Sequence, residues 1–421
     1  MNEVWNAECG VRNAECGKPW GSRGHSPCER NAERGTSNVE RRTIIIDDAL
    51  WNELIKATDG AIGLCYQCGT CSASCPWSII KNDSSYNVRK IIREAQCNIK
   101  NGEGIWLCSM CAQCEVNCPH AVPITKIIRT LRDYAFKERK APEEFNSIFW
   151  ALFWDGNPYR LPPSRRTAWT KGETLPVYDE TKEFLLYFGN DYSYEQRSNR
   201  VARTLIQILK KANVNFGTLG DNETCFGSTT HEIGNIPYFK ETVRENAKKL
   251  NDLKVKEVVS ISPHDFDVLK NYYPNFGATF KATHILQIIK ELLERGNLKL
   301  TKEINETVAY HDPCYLGRKN KIFDEPRDIL NKIPGLKLVE FPHNRYDSLC
   351  CGGGGGRMWL DTEPEERFSN LRVKEASELN VNIIATSCPY CVIMFEDSSK
   401  YLKMKNLKVF DVLELVKMAL E

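Results

Sequence analysis

The sequence has no apolar run near the ~18 residues that a membrane-spanning helix requires, so no direct span is predicted. No apolar core follows Met1 in the manner of a secretory leader, which predicts a cytoplasmic chain. Neither sign of charge dominates. There are 57 Lys and Arg against 55 Asp and Glu, and no basic stripe with interleaved aromatics. That argues against a nucleic-acid partner. No G-x-G-x-x-G follows a strand-like run, and nothing resembles flavin binding.

Cysteine is abundant instead, with 18 in 421 residues. A cytoplasmic chain with so many thiols reads as metal-binding before it reads as disulfide-linked. The 42% hydrophobic and 27% charged fractions allow full cores, and the length suits two to four domains.

Residues 1–43 have no hydrophobic periodicity and repeat "NAECG" at 6–10 and 13–17. They read as disorder or as an over-extended translation start, and Cys9, Cys16 and Cys28 are weak ligand candidates. Residues 44–140 alternate cysteine clusters with helical stretches, one marked by Val88, Ile91, Ile92 and Ala95 and another by Ile124, Ile127, Ile128 and Leu131. Residues 141–180 form a connector rich in aromatics and prolines, read either as a partner surface or as packing between domains. From 181 onward short apolar runs alternate with amphipathic helices, which predicts α/β layers with mainly parallel sheets. The terminal run "VFDVLELVKMAL" reads as a docked helix.

Two runs carry the first chemistry. "CYQCGTCSASCP" gives Cys65, Cys68, Cys71 and Cys75 before Pro76, and "CSMCAQCEVNCP" gives Cys108, Cys111, Cys114 and Cys118 before Pro119. In such runs three thiolates hold three irons of a cubane [4Fe–4S] cluster, and the fourth cysteine serves the other cluster. The expected sets are Cys65, Cys68, Cys71 with Cys118, and Cys108, Cys111, Cys114 with Cys75. Zinc is the alternative, but it prefers four ligands in two separated pairs. Cys97, between the runs, reads as a buried apolar residue.

The second chemistry lies in Cys314, Cys350, Cys351, Cys388 and Cys391, spaced C-x35-C-C-x36-C-x2-C. Five thiols exceed one zinc. A thioredoxin-like dithiol would use Cys388 and Cys391 and leave three idle. Glycines 352–356 follow the adjacent pair and let backbone approach a cofactor or substrate closely. The spacing also repeats. Asn190, Cys225, Phe226, Ser262 and Asp265 hold the matching positions in 181–300, and four of the five thiols are gone. Cys225 alone cannot hold a multi-iron cluster.

The five-cysteine pattern resembles the CCG domain of heterodisulfide reductases, and the two ferredoxin-like runs resemble that family's small subunit. The resemblance covers about 44–421 and suggests the two subunits fused, as in the membrane-linked form and its single-CCG relatives. It implies an α+β multidomain fold: an α-helical di-cluster ferredoxin domain at 44–140, then tandem Rossmann-like α/β CCG domains at 181–300 (degenerate) and 301–421 (intact). It implies two cubane [4Fe–4S] clusters and one non-cubane [4Fe–4S] cluster on the late five cysteines, where a disulfide or related sulfur bond is reduced. His311, three residues before Cys314, is the candidate proton donor, with a structural role as the alternative for it and for His343. Arg318 and Lys319 are candidates for pairing with an anionic substrate or cluster, against solvated surface. The implied partners are a flavoprotein or membrane cytochrome b for electrons, and a disulfide, thiol or small sulfur-carrier protein as substrate. A peripheral place on the inner membrane face would follow from such a partner. The loss of the first copy's thiols leaves open a rival: a relay subunit of a glycerol-3-phosphate, lactate or glycolate oxidising system, with no substrate of its own.

Overall fold

Val88, Ile91, Ile92 and Ala95 fall on one side of the helix Val88–Gln96, and all four are buried. Burying each of the three larger side chains contributes about 1.5–3 kcal/mol. The computed structural model describes residues 48–420 except 82–85, 98–101 and 173. The extension 1–43 and its three cysteines lie outside the described residues. From Asp48 the described residues form one compact unit. No helix among the described residues is long and apolar enough to cross a membrane.

Helices dominate up to residue 155. Asp48–Thr58 packs on Ile124–Lys137, whose apolar face is buried at Ile124, Ile127, Ile128 and Leu131. Cys97 caps the end of Val88–Gln96 and is half-buried. The aromatic connector holds a helix, Glu143–Asp155, with two characters. Phe145, Ile148 and Leu152 are buried, while Trp150, Phe153 and Trp154 are 64%, 62% and 73% exposed. The helix thus has a packed side and an exposed aromatic side.

Two four-stranded parallel sheets follow. The first contains β1 (Phe184–Tyr187), β2 (Phe216–Gly217), β3 (Glu257–Ser260) and β4 (Lys281–His284), in the order β2-β1-β3-β4. The second contains β5 (Thr307–Tyr310), β6 (Lys337–Glu340), β7 (Ile383–Thr386) and β8 (Lys408–Asp411), in the order β6-β5-β7-β8. The topologies are identical, and every pairing is parallel. β1 and β7 are buried at all four residues, as expected for strands covered by helices on both faces. The terminal run differs from its reading as one helix. Val409, Phe410 and Asp411 close β8, and Asp411 then caps the helix Val412–Ala419 through a reciprocal contact with Glu414.

The helix after the first strand of each copy packs on the helix after the last strand of the other. Gln196–Lys211 meets Val412–Ala419, and Asp324–Asn331 meets Ile285–Glu294. These two equivalent contacts give the copies a pseudo-twofold relation. Leu186, Val259, Val308, Tyr310, Ile383 and Leu413 share one continuous core across it. Arg197 ties the same seam, donating to Glu414 at 2.9 and 2.8 Å.

Candidate metal centres

The two ferredoxin-like loops wind alike. In each, the residue before the second cysteine and the residue after it are left-handed: Gln67 and Gly69 in the first, Met110 and Ala112 in the second. A one-turn helix then carries the third cysteine, Thr70–Ala73 for Cys71 and Gln113–Val116 for Cys114. This winding turns amides inward, a geometry that suits anionic sulfur. The Met110 N–H donates to Cys108 Sγ at 3.4 Å, and the Val122 N–H donates to Cys118 Sγ at 3.4 Å.

The thiols border two cavities. One is lined by Cys65, Cys68, Cys71 and Cys118, the other by Cys75, Cys108, Cys111 and Cys114. Each run lends its fourth cysteine to the other's cavity. Among the described residues no three Cys, His, Asp or Glu side chains gather around a point that a single ion would fill. Burial pushes the Cys75, Cys108 and Cys114 thiols up, so ionising them there needs a compensating cationic core. Cys68, by contrast, is exposed, and its neighbours Leu64 and Tyr66 are exposed too.

The late five cysteines converge at the carboxyl ends of the two central strands of the second sheet. β5 runs into the loop holding Cys314. β7 runs into Cys388, the cap of helix Pro389–Tyr401, whose first turn holds Cys391. Cys350 and Cys351 enter from the loop after β6. The Cys350 thiol touches those of Cys314 and Cys351, Cys351 touches Cys391, and Cys391 touches Cys388. Four of the five are buried, and Cys314 is half-buried. The Gly352 N–H donates to Cys350 Sγ at 3.2 Å. Hydrogen bonding from Cys350 holds the Cys351 thiol low. Cys388 is brought down to about 6 against the upward push of burial, chiefly by its bond with Cys391.

This site abuts the inner ferredoxin-like cavity. Ser109 Oγ lies 3.2 Å from Cys350 Sγ, and the Cys111 and Cys350 thiols are in contact. The glycine run makes the approach possible. A Cβ on Gly354 would stand 2.7 Å from the Ser109 carbonyl, and one on Gly355 would stand 2.3 Å from the Cys108 carbonyl. The close approach found here is thus between two ligand loops.

Three buried arginines line the junction. Arg132 donates to the carbonyls of Ile105, Cys108, Glu232 and Gly355. Arg318 donates to those of Cys111 and Tyr346 at 2.8 and 2.9 Å, and also to Ser348. Arg357 donates to Leu107 at 2.9 Å. Carbonyls satisfy their donors without cancelling their charge, which suits an anionic cofactor on each side. Arg318 is therefore not a solvated residue, whereas Lys319 lies over the Tyr315 ring, 3.4 Å from its centroid. Arg132 and Arg357 were not singled out from sequence. The available signals were the position of Arg357 directly after the glycines and that of Arg132 four residues after buried Ile128.

The histidines separate clearly. His311 is buried edge-on to Phe395, with Nδ1 unpartnered, and burial holds it well below its usual range. His343 is half exposed, with Nδ1 2.5 Å from Glu375. His264, in the stretch "SPHD" of the first copy, has Nδ1 against the Glu232 carboxylate and stacks on Tyr315 with centroids 4.0 Å apart. Sequence reasoning passed it over, although it stands where Tyr390 stands in "CPYC".

The first copy's matching positions are filled by protein. Arg166 donates to Asn190 Oδ1 at 2.9 Å and pairs with buried Glu223 at 2.8 Å. Asp265 accepts from Ser228 Oγ at 2.5 Å. Phe226 stacks on Tyr187 with centroids 3.8 Å apart and planes 4° from parallel. Burial pushes the lone Cys225 thiol up.

Comparison with known proteins bears on these centres. A cysteine-rich CCG domain matches residues 188–264 and 308–396, covering both copies, and a 4Fe-4S dicluster domain matches 61–122. The chain is 34% identical over 303 residues to "Probable iron-sulfur-binding oxidoreductase FadF" of Bacillus subtilis, covering 70% of this chain and 43% of that protein. It is 32% identical over 313 residues to "EtfAB:quinone oxidoreductase" of Syntrophomonas wolfei, covering 71% and 44%. It is 32% identical over 271 residues to one chain of the "Dihydromethanophenazine:CoB--CoM heterodisulfide reductase" of Methanosarcina barkeri, covering 63% and 65%. The chain thus spans less than two thirds of the length of each of these relatives.

Proposed function

Because this chain belongs to the iron–sulfur oxidoreductases that join a 4Fe-4S dicluster domain to CCG cysteine-rich domains, we propose that it carries electrons from an exposed outer cluster, through an inner one, to a five-thiol centre that reduces a sulfur–sulfur bond. Cys65, Cys68, Cys71 and Cys118 would hold the outer cubane, and Cys75, Cys108, Cys111 and Cys114 the inner one. Cys314, Cys350, Cys351, Cys388 and Cys391 would hold a non-cubane cluster. Bound there, these groups would supply two electrons that, with two protons, convert a disulfide into two thiols.

The observation that carries this reading is the junction at Cys350, where Ser109 and Cys111 of the inner loop meet the five-thiol site. The buried guanidiniums of Arg132, Arg318 and Arg357 would offset the charge gathered on its two sides. Exposed Cys68, with Leu64 and Tyr66 beside it, is the side an electron-exchanging flavoprotein or cytochrome subunit would meet. A substrate would approach from Cys314, since the other four thiols are buried.

That same burial favours a second reading, a relay with no sulfur substrate of its own. Iron analysis and EPR test both. Three four-iron clusters require about twelve irons per chain. A count near eight would remove the five-thiol cluster from the proposal. With all the iron present, a candidate thiol should change the EPR spectrum of the oxidised protein. Silence across candidate thiols would leave the relay.

A further inference from the structure

We propose that the exposed aromatic ridge of the helix Glu143–Asp155, with the cavity beside it, is a docking surface for a basic segment of a partner protein, one that carries arginine or lysine. The inference goes beyond the function proposed above and stands whatever clusters the cysteines hold.

A protein surface seldom leaves large aromatic rings grouped in water, because each ring gains by being covered. Trp150, Phe153 and Trp154 recur at i, i+3 and i+4, so they share one face of the helix, and all three are exposed. They touch one another, with centroids 6.4 Å apart for Trp150 and Phe153 and 5.0 Å apart for Phe153 and Trp154. The other face of the helix is fixed. Phe145 packs on Trp106, with centroids 5.4 Å apart, and Trp106 stands two residues before Cys108. Whatever covers the ridge therefore sits one helix diameter, about 10 Å, from the second cysteine loop.

Charge selects the occupant. Phe153 also borders a cavity of about 350 Å³ between this helix and the helix Ile236–Asp252. Tyr238, Glu241, Thr242 and Glu245 fall on one face of the second helix and line the cavity's other wall. Glu241 and Glu245 are both exposed, and they are the only charged residues among those that line it. Nearby cations are engaged elsewhere. Arg244 lies 5.9 Å from the Phe276 ring centroid, Lys249 donates to the Asn222 carbonyl at 2.6 Å, and Arg160 is turned onto Ser147 Oγ. Aromatic rings beside carboxylates suit a guanidinium or an ammonium, which can stack on the rings and pair with the acids. The same carboxylates would repel an acidic protein or an anionic bilayer. Tryptophan is also where protein interfaces concentrate their binding energy.

The test uses the full chain loaded with iron and a fluorescent peptide of alternating arginine and leucine, followed by anisotropy. The peptide should bind, and more weakly as salt rises. Trp150→Ala with Trp154→Ala, and separately Glu241→Gln with Glu245→Gln, should each weaken binding about tenfold or more. Iron per chain and the thermal midpoint should stay as they are, because these side chains are exposed. Should one pair lower the midpoint, the other pair decides. A peptide with glutamate in place of arginine should not bind. Failure of the arginine peptide to bind overturns the inference, and so does equal binding by both altered proteins. Vesicles of phosphatidylcholine, with and without phosphatidylglycerol, are sedimented with the same proteins. Capture on vesicles that the tryptophan substitutions abolish assigns the ridge to a membrane. Self-association that they abolish assigns it to a second copy of this chain. Either result overturns the basic partner.

Discussion

Arg132 is completely buried, and its four carbonyl partners come from three separate parts of the chain: Ile105 and Cys108, Glu232, and Gly355. Its guanidinium also lies 5.1 Å from the Trp106 ring centroid. Hydrogen bonds from a charged donor are worth about 1.5–3 kcal/mol each, and the carbonyls would be left unpaired without it. Arg132→Met should therefore cost at least about 3 kcal/mol, read as a lower denaturant midpoint. Arg132→Lys should not restore it, because a point ammonium cannot span four acceptors set in a fork. A midpoint unchanged in the Met variant would show that these bonds add nothing net. At this scale the cysteines were legible and the arginines were not. Ligand runs such as Cys65–Cys75 are local and governed by the geometry of a few bonds. A lone arginine beside an apolar helical face looks the same whether it meets solvent or three converging loops.

Among the elements, the glycine run decides how near the two kinds of centre come. Gly355 has φ +66°, and a side chain there would meet backbone, which cannot swing away. Gly355→Ala should lose about 1–2 kcal/mol from the left-handed conformation alone and push the Cys108 loop outward. In loaded protein, magnetic coupling between the inner and five-thiol centres should weaken while iron content holds. Coupling of native strength would mean that the loops part without cost. The strands of the second half were legible for a related reason. Parallel strands buried on both faces read as short apolar runs, as "FLLYFG" and "VNIIATS" do. β4, "KATH", was missed because three of its four residues are polar, although Thr283 and His284 are buried. The terminal β8 was absorbed into the helix that Asp411 begins, since four residues are too few to show an alternation.

For the molecule as a whole, the duplicated sheet has one metal-type site and one sealed by protein. The sealed site holds three buried carboxyls, Asp191, Glu223 and Asp265, which burial raises to about 8, 7 and 6. Raised carboxyls keep protons that the unfolded chain would release. The folded state therefore binds more protons between about pH 4 and 8, and stability falls as pH rises through that window. What these groups add to the unfolding midpoint should be greatest near pH 4 and decline toward pH 8, by about 1.4 kcal/mol for each pKa unit of displacement. Asp191→Asn should flatten the slope, and a flat profile in the unaltered protein would contradict the shifts. The repeat behind this asymmetry was visible in the cysteine spacing, because matching distances along the chain survive the loss of the thiols. The way the copies face each other was not visible. It depends on helices such as Gln196–Lys211 and Val412–Ala419 meeting across the seam, and one chain's residue pattern does not record which faces meet.

The Arg166–Glu223 pair closes the first of two addresses at which sulfur chemistry could have been shared. Under the proposed function, both electrons for one bond must arrive in turn at a single stop and wait there for each other. Such a terminus gains most from being deep, narrow and fed from one direction, and pays for that with slow exchange of whatever it serves.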